Sequence, residues 1–254
     1  MILNEFKPYI IKKGENKDFI VLCDHASNYI PRKYNNLGMN KDDLESHIAF
    51  DIGASDVAKR LSDKLNCNLI MSNFSRLLID PNRGLDDPTL IPKLSENKII
   101  KGNLNINFFK DEQKKLKRIR NFYLPYDRKI KEIINDNILK GFVPSIISIH
   151  SFSPIWKEKI RDIEYGILWD MDNRLANLFL KNLPGRVGDN KPYNGKLKND
   201  TLNRHATNKG LPNVLIEIRQ DKLKYLKQRY FFADQIYDIL EKNLKEIKKF
   251  NIRS

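Results

Sequence analysis

Cysteine is scarce in this chain of 254 residues, and the two present, Cys23 and Cys67, each fall inside an apolar run. A reduced, buried thiol suits such positions better than a disulfide, so a disulfide-stapled secreted domain is excluded and a cytoplasmic location is expected. No apolar run approaches the roughly 18 residues that a spanning helix needs. Residues 1–13 mix charges with Pro8 instead of forming an apolar leader, so a soluble, unexported protein is expected. The 11 glycines build neither a phosphate-binding loop nor a dinucleotide fingerprint, and no serine stands in a nucleophile elbow. Ser151 beside His150 makes no catalytic triad by adjacency. Repeats, low-complexity tracts and linkers are also lacking, which predicts one domain over residues 1–254.

Charge of one sign is abundant instead: 46 Lys+Arg against 32 Asp+Glu give a formal +14. That field favours anionic partners. A nucleic-acid binder concentrates such charge in a stripe with interleaved aromatics, whereas here lysines recur on nearly every polar helix face. Short β-branched or apolar runs at residues 19–23 (FIVLC), 68–71, 77–79, 145–149 (SIISI), 165–169 (YGILW) and 214–218 (VLIEI) predict strands. Between them, residues 41–66, 110–139 (interrupted at Pro125), 173–183 and 222–249 carry apolar residues at helical spacing. In the first of these the apolar positions are Leu44, Ile48, Ile52, Val57, Leu61 and Leu65, with a break possible at Gly53. In the last the apolar face includes Leu223, Tyr230, Phe231, Ile236 and Leu240. Loops are expected at residues 80–88 and 190–195. Strands alternating with helices predict an α/β fold with a mainly parallel sheet covered on both faces.

Four histidines occur, and two of them, His25 and His150, close apolar strand runs. Strand ends converge at the open edge of such a sheet, and a neutral imidazole is a good zinc ligand, so the pair predicts a metal site. His47 and Asp51 stand four positions apart on the expected helix and would share a face. Asp51 is the expected third ligand, with Asn28 and His47 as alternates or as partners that orient the ligands from behind. Glu217 lies in an otherwise apolar strand, where a carboxylate is costly unless paired or functional. It is the expected general base, with an ion pair to Arg219 as the structural alternative. Arg76, Asp80, Asn82 and Arg83 crowd one loop, an arrangement suited to gripping an anion, since guanidinium binds carboxylate bidentately. His205 lies in a polar stretch and is a further candidate to line the pocket.

The segments DHASNYIP (residues 24–31), HIAFDIGA (47–54), SRLLIDPNR (75–83), SIHSFSP (148–154) and NVLIEIRQD (213–221), in this order and spacing, resemble N-formylglutamate amidohydrolases. The resemblance implies a three-layer α/β/α fold with a mixed sheet, like that of zinc carboxypeptidases. It also implies hydrolysis of N-formyl-L-glutamate to formate and glutamate. On the same ground His25 and His150 match metal-site histidines for Zn2+ or another divalent ion, and Glu217 matches the strand-end carboxylate. Asn82 and Arg83 match a pair that holds a substrate carboxylate. Apart from the resemblance, the residues themselves make Arg219 and His205 further substrate-binding candidates and Arg76 a candidate to stabilise the oxyanion. Two positions depart from the pattern: Asn28 stands where zinc carboxypeptidases have a glutamate ligand, and Asp127 stands where the segment YLPYDRKI would carry a histidine. The expected activity is thus a metal-dependent amidohydrolase that takes a small acidic N-acyl amino acid. Two alternatives stay open: a related metal hydrolase with another N-acyl or peptide substrate, and a basic nucleic-acid-binding protein on a decayed hydrolase scaffold.

Overall fold

The computed structural model describes residues 6–106 and 112–253. Residues 1–5 of the N-terminal segment and residues 110 and 111 of the expected second helix lie outside the described residues. The strands in chain order are β1 (Tyr9–Lys12), β2 (Asn16–Cys23), β3 (Cys67–Ser72), the hairpin β4 (Leu94–Ser95) and β5 (Lys98–Ile99), then β6 (Ser145–Phe152). They continue with the hairpin β7 (Ile155–Trp156) and β8 (Lys159–Ile160), β9 (Tyr165–Leu168), β10 (Val187–Asp189) and β11 (Asn213–Arg219). Seven of them form one sheet in the order β1-β3-β2-β6-β11-β9-β10. The four central strands are parallel, while β1 joins β3 and β9 joins β11 antiparallel. The fold is therefore α/β with a mixed, mostly parallel sheet.

Alternation along the strands divides the core into two layers. Phe19, Val21 and Cys23 of β2 point to one face, where the helices Ala54–Leu65, Arg174–Asn182 and Leu226–Lys242 cover them. Ile20 and Leu22 point to the other, packed with Ile146, Leu215 and the helix Leu124–Leu139. Cover on this second face is uneven. The helix Leu124–Leu139 packs over β3, whereas only the five-residue helix Thr201–His205 packs over β11. The gap leaves room for a cavity against β6, β9 and β11.

Several expected elements take another form. The helix predicted over 41–66 is cut to Lys41–Leu44 and Ala54–Leu65, with turns between. Inside the break Asp51 donates its N–H to the His25 carbonyl at 2.9 Å, and Ser75 Oγ donates to the Ala49 carbonyl at 2.8 Å. These long-range bonds satisfy backbone groups that a helix would otherwise pair internally. Residues 77–79 form no strand: Ser75 accepts the Leu78 N–H through its carbonyl and the Leu77 N–H through its hydroxyl, which turns the chain and buries Leu77, Leu78 and Ile79. Pro125 starts a helix instead of breaking one, because the turns before it, Ile119–Tyr123, widen to π geometry and join Glu112–Arg118 to Leu124–Leu139. The closing helix runs as Leu226–Lys242 and Leu244–Ile247. Its buried face is Phe232, Ala233, Ile236, Ile239 and Leu240, while Tyr230 and Phe231 are exposed. Tyr230 lies under the Arg60 guanidinium, 5.2 Å from ring centre to Cζ.

Among the described residues no helix is long and apolar enough to cross a membrane.

Candidate active site

Register and alternation assemble the site before any side chain is considered. On the second face, β2 presents Ile20 and Leu22 and then Asp24 just past its end. β6 presents Ile146, Ser148 and His150, and β11 presents Asn213, Leu215 and Glu217. His150 pairs with Glu217 in the parallel register of β6 and β11. Apolar residues thus give way to ionisable ones toward the C-terminal ends of parallel strands, where α/β sheets carry their sites. His150 belongs to β6 itself, which runs on to Phe152, and is not the residue that closes the strand.

His25, Asp51 and His150 converge. One ligand atom from each lies within 4.8 Å of the others, and all three residues are buried. Asp51 Oδ2 lies 2.8 Å from His150 Nδ1 and 3.3 Å from His25 Nδ1. The remote nitrogen of each ring is also held: His25 Nε2 lies 2.7 Å from Asp80 Oδ1, and His150 Nε2 lies 3.1 Å from Ser148 Oγ and 3.4 Å from Asp24 Oδ2. A carboxylate behind each imidazole fixes its tautomer and turns the opposite nitrogen toward the shared centre, the arrangement seen around metal-bound histidines. Asp24 is fastened in turn by hydroxyl donors, Tyr126 and Thr201, each 2.9 Å from its Oδ1. Arg76 donates to Asp51 Oδ1 at 3.2 Å and to Asp80 Oδ2 at 3.4 Å, linking the two carboxylates that flank His25. Two nitrogens and a carboxylate oxygen, buried and oriented from behind, form a donor set that fits a divalent cation such as zinc.

Electrostatics follow from burial and pairing. Burial alone would raise Asp51, but the His25 and His150 imidazoles outweigh it and hold the carboxyl well below its ordinary range. Burial opposes the charge on His150, yet Asp24, Asp51 and Glu217 together raise it well above the usual histidine value. Glu217 differs: burial, reinforced by Asp51, pushes its carboxyl up to about 7 against the pull of His150 and Arg76. Its Oε2 is buried with no hydrogen-bond partner among the described residues.

These groups open into a cavity of about 480 Å³. His25, Asp51, Arg76, Asn82, Arg83, His150 and Glu217 all line it. Asn82 Oδ1 accepts the Thr201 N–H at 3.0 Å, which leaves the amide nitrogen for a ligand. Arg83 is steadied by Thr89 Oγ1 at 3.3 Å and by its neighbour's carbonyl at 3.0 Å. The outer wall comes from the β7–β8 hairpin through Trp156 and from the 193–197 loop through Tyr193. The chain leading into that loop, at Lys191, passes close to β9, where Gly166 stands opposite Glu217; a Cβ at Gly166 would lie 2.2 Å from the Lys191 carbonyl oxygen and 3.2 Å from Glu217 Cβ.

Four expected site residues lie elsewhere. His47 is half-buried in the broken helix with its Nε2 2.8 Å from Glu96, so the shared face with Asp51 does not form. Asn28 donates its amide to the Leu44 carbonyl at 2.8 Å. Arg219 turns outward, to Asp221 at 2.8 Å and the Arg161 carbonyl at 2.6 Å, and makes no pair with Glu217. His205 faces away from the cavity toward Asp127, 2.6 Å distant, where with Arg204 it ties the helix Thr201–His205 to Leu124–Leu139. The sequence reading missed the part played by Asp24, although its position two residues beyond Leu22 puts it on the His150 face. The contact of Asp80 with His25 was likewise not expected from the sequence.

Asp200, also in the cavity wall, caps the helix Thr201–His205 by accepting the Asn203 N–H at 2.7 Å. Burial and the nearby Asp24 raise its carboxyl from 3.8 to about 6. The unfolded chain ionises Asp200 near 3.8 while the native state keeps its proton to about 6. Stability contributed by this group is therefore lost as pH rises between these values and stays lost above them. Asp200→Asn caps equally well without the charge. In chelated protein the variant is expected to melt at higher temperature than the parent at pH 8 and at nearly the same temperature near pH 4. An unchanged difference across that range in paired calorimetric scans would refute the assignment.

Comparison with known proteins gives the chain's family and fold. No curated protein matches the chain. Among solved structures, the gene product Atu2144 from Agrobacterium tumefaciens is 35% identical, with a TM-score of 0.89 over 96% of this chain and 98% of that one. An N-formylglutamate amidohydrolase from Ralstonia eutropha shares the fold, at 16% identity and a TM-score of 0.56, covering 95% of this chain and 100% of its own. The family model for N-formylglutamate amidohydrolase matches residues 17–223, which include His25, Asp51, His150 and Glu217, and the chain therefore belongs to the N-formylglutamate amidohydrolase family.

Proposed function

We propose that this protein is a metal-dependent amidohydrolase that cleaves the amide of an N-acyl amino acid such as N-formyl-L-glutamate. The observation that carries the reading is the pair of carboxylate-backed imidazoles, His25 with Asp80 and His150 with Asp24, aimed at Asp51 beside the unpartnered Oε2 of Glu217. His25, Asp51 and His150 would hold the ion. When bound, a divalent cation polarises the amide carbonyl and makes water acidic enough to attack near neutral pH.

The chain's own residues do the rest. Glu217 Oε2 takes the proton from the attacking water and returns it to the departing amine nitrogen. A carboxylate serves for both steps, because it can accept the water's proton and hand it on to the amine. Arg76, which reaches the cavity from its bridge between Asp51 and Asp80, offers positive charge to the carbonyl oxygen as negative charge grows there. Arg83 and the Asn82 amide receive the substrate carboxylate and so set the amide over Glu217, which converts a bimolecular encounter into an oriented one.

Formate release from N-formyl-L-glutamate tests this directly in metal-loaded, chelated and zinc-restored samples of one preparation. Release that stops on chelation and returns with zinc is the expected result. Release unaffected by complete metal removal would refute the metal's role.

A further inference from the structure

The cavity does not stop at Glu217. Its lining continues along β11 past Leu215 to Asn213, so that Leu168, Leu202 and Leu215 give it an apolar stretch, the inner arm, with the hydrogen-bonded Thr207 and Asn213 at the far end. Leu168 and Leu215 face each other in the antiparallel register of β9 and β11. Leu202 comes from the short helix that leaves this face of the sheet thinly covered. At about 3.3 Å per residue, Leu215 lies about 7 Å and Asn213 about 13 Å from Glu217 along the strand. The far end is polar but self-satisfied: Asn213 donates its amide to the Leu211 carbonyl at 2.9 Å and accepts from Thr207 Oγ1 at 3.3 Å. Asn213 and Thr207 carry no charge that would call for an acidic group at the far end of the arm; Asp170, Lys196 and Asp200 line the cavity elsewhere.

A formyl group puts only a hydrogen on the carbonyl carbon, so it leaves such an arm empty. Resting on the amidohydrolase reading above, the geometry points to an N-acyl amino acid that carries an apolar chain of several carbons in the Leu168–Leu202–Leu215 arm. The chain is supplied either by the acyl group or by the amino-acid side chain.

The test compares kcat/KM of the zinc-loaded protein for N-formyl-L-glutamate, N-hexanoyl-L-glutamate and N-formyl-L-norleucine. One of the two apolar compounds is expected to exceed N-formyl-L-glutamate by at least about tenfold, the scale of discrimination that a few methylenes give in an apolar pocket. Which one does so identifies the source of the chain. Leu215→Phe fills the arm and is expected to bring that ratio close to one; Leu202→Trp does the same from a different element and guards against a folding defect in the first variant. Preference for N-formyl-L-glutamate, or an unchanged ratio in a folded variant, overturns the inference and leaves the amidohydrolase reading standing. Failure to hydrolyse any of the three would overturn both.

Discussion

Glu217→Gln is expected to lower turnover of an N-acyl amino acid by about 10²–10⁴-fold, the usual contribution of a positioned acid-base group. Metal content should remain that of the parent. The substitution keeps shape and hydrogen-bonding capacity but removes the cavity's one carboxyl with an unpartnered, buried oxygen among the described residues. A purely structural role predicts the reverse pattern, a folding defect with catalysis preserved in the folded fraction. Stability gives a second, independent reading. In chelated protein the native carboxyl keeps its proton to about 7, whereas the unfolded chain ionises near 4.5, so the parent loses stability as pH rises across that window and the glutamine variant does not. The variant should therefore match the parent at pH 4 and be the more stable of the two at pH 8. Undiminished turnover in the variant would remove Glu217 from the mechanism.

Asp51→Ala should be the most damaging change to the site as a structure. One Asp51 carboxylate receives His150 at 2.8 Å, His25 at 3.3 Å, Arg76 at 3.2 Å and the Ser151 N–H at 3.3 Å. Removing it takes one carboxylate from two buried imidazoles and from the partly exposed Arg76 guanidinium, and breaking a buried charge network typically costs about 3–5 kcal/mol, less here by what Asp24 and Asp80 still supply. Denaturant unfolding of metal-free samples measures this loss, which should appear as a lower midpoint at unchanged slope. Zinc binding by titration calorimetry should fall to background in the same variant, because two of the three donors would then lack the third. Retention of one tightly bound zinc would show that another group completes the donor set.

Much of the framework is legible in the sequence because the central strands are buried on both faces and read as continuous apolar runs. Residues 19–23, 145–149 and 214–218 announce β2, β6 and β11 in this way, and the ionisable residues that interrupt or end them, Asp24, His25, His150 and Glu217, stand out against that background. The loop joining them is harder to read. His47 and Asp51 have helical spacing, but the backbone between them is satisfied by His25 and Ser75, residues remote in sequence, and local periodicity carries no trace of such bonds. Asp80 illustrates the same limit from the other side. Its neighbour Arg76 is evident at four positions' distance, whereas its contact with His25 spans 55 residues and depends on how the loop after β3 folds over the end of β2. The edge strand β1 and the two small hairpins escaped because they are short, half-exposed and lack a long alternating pattern.

The outer wall of the cavity owes its position to an atom that is missing. Gly166 allows the backbone at Lys191 to cross β9 at a separation no side chain would permit, and Tyr193 follows two residues later. The width of the entrance is thus tied to the residue type at one buried strand position that is not itself among the lining residues. Even a methyl group there would have to displace the crossing chain outward or press on Glu217 from the neighbouring strand. Aperture and proton carrier share a single spacer, so drift at this position would alter who enters and what happens to them together.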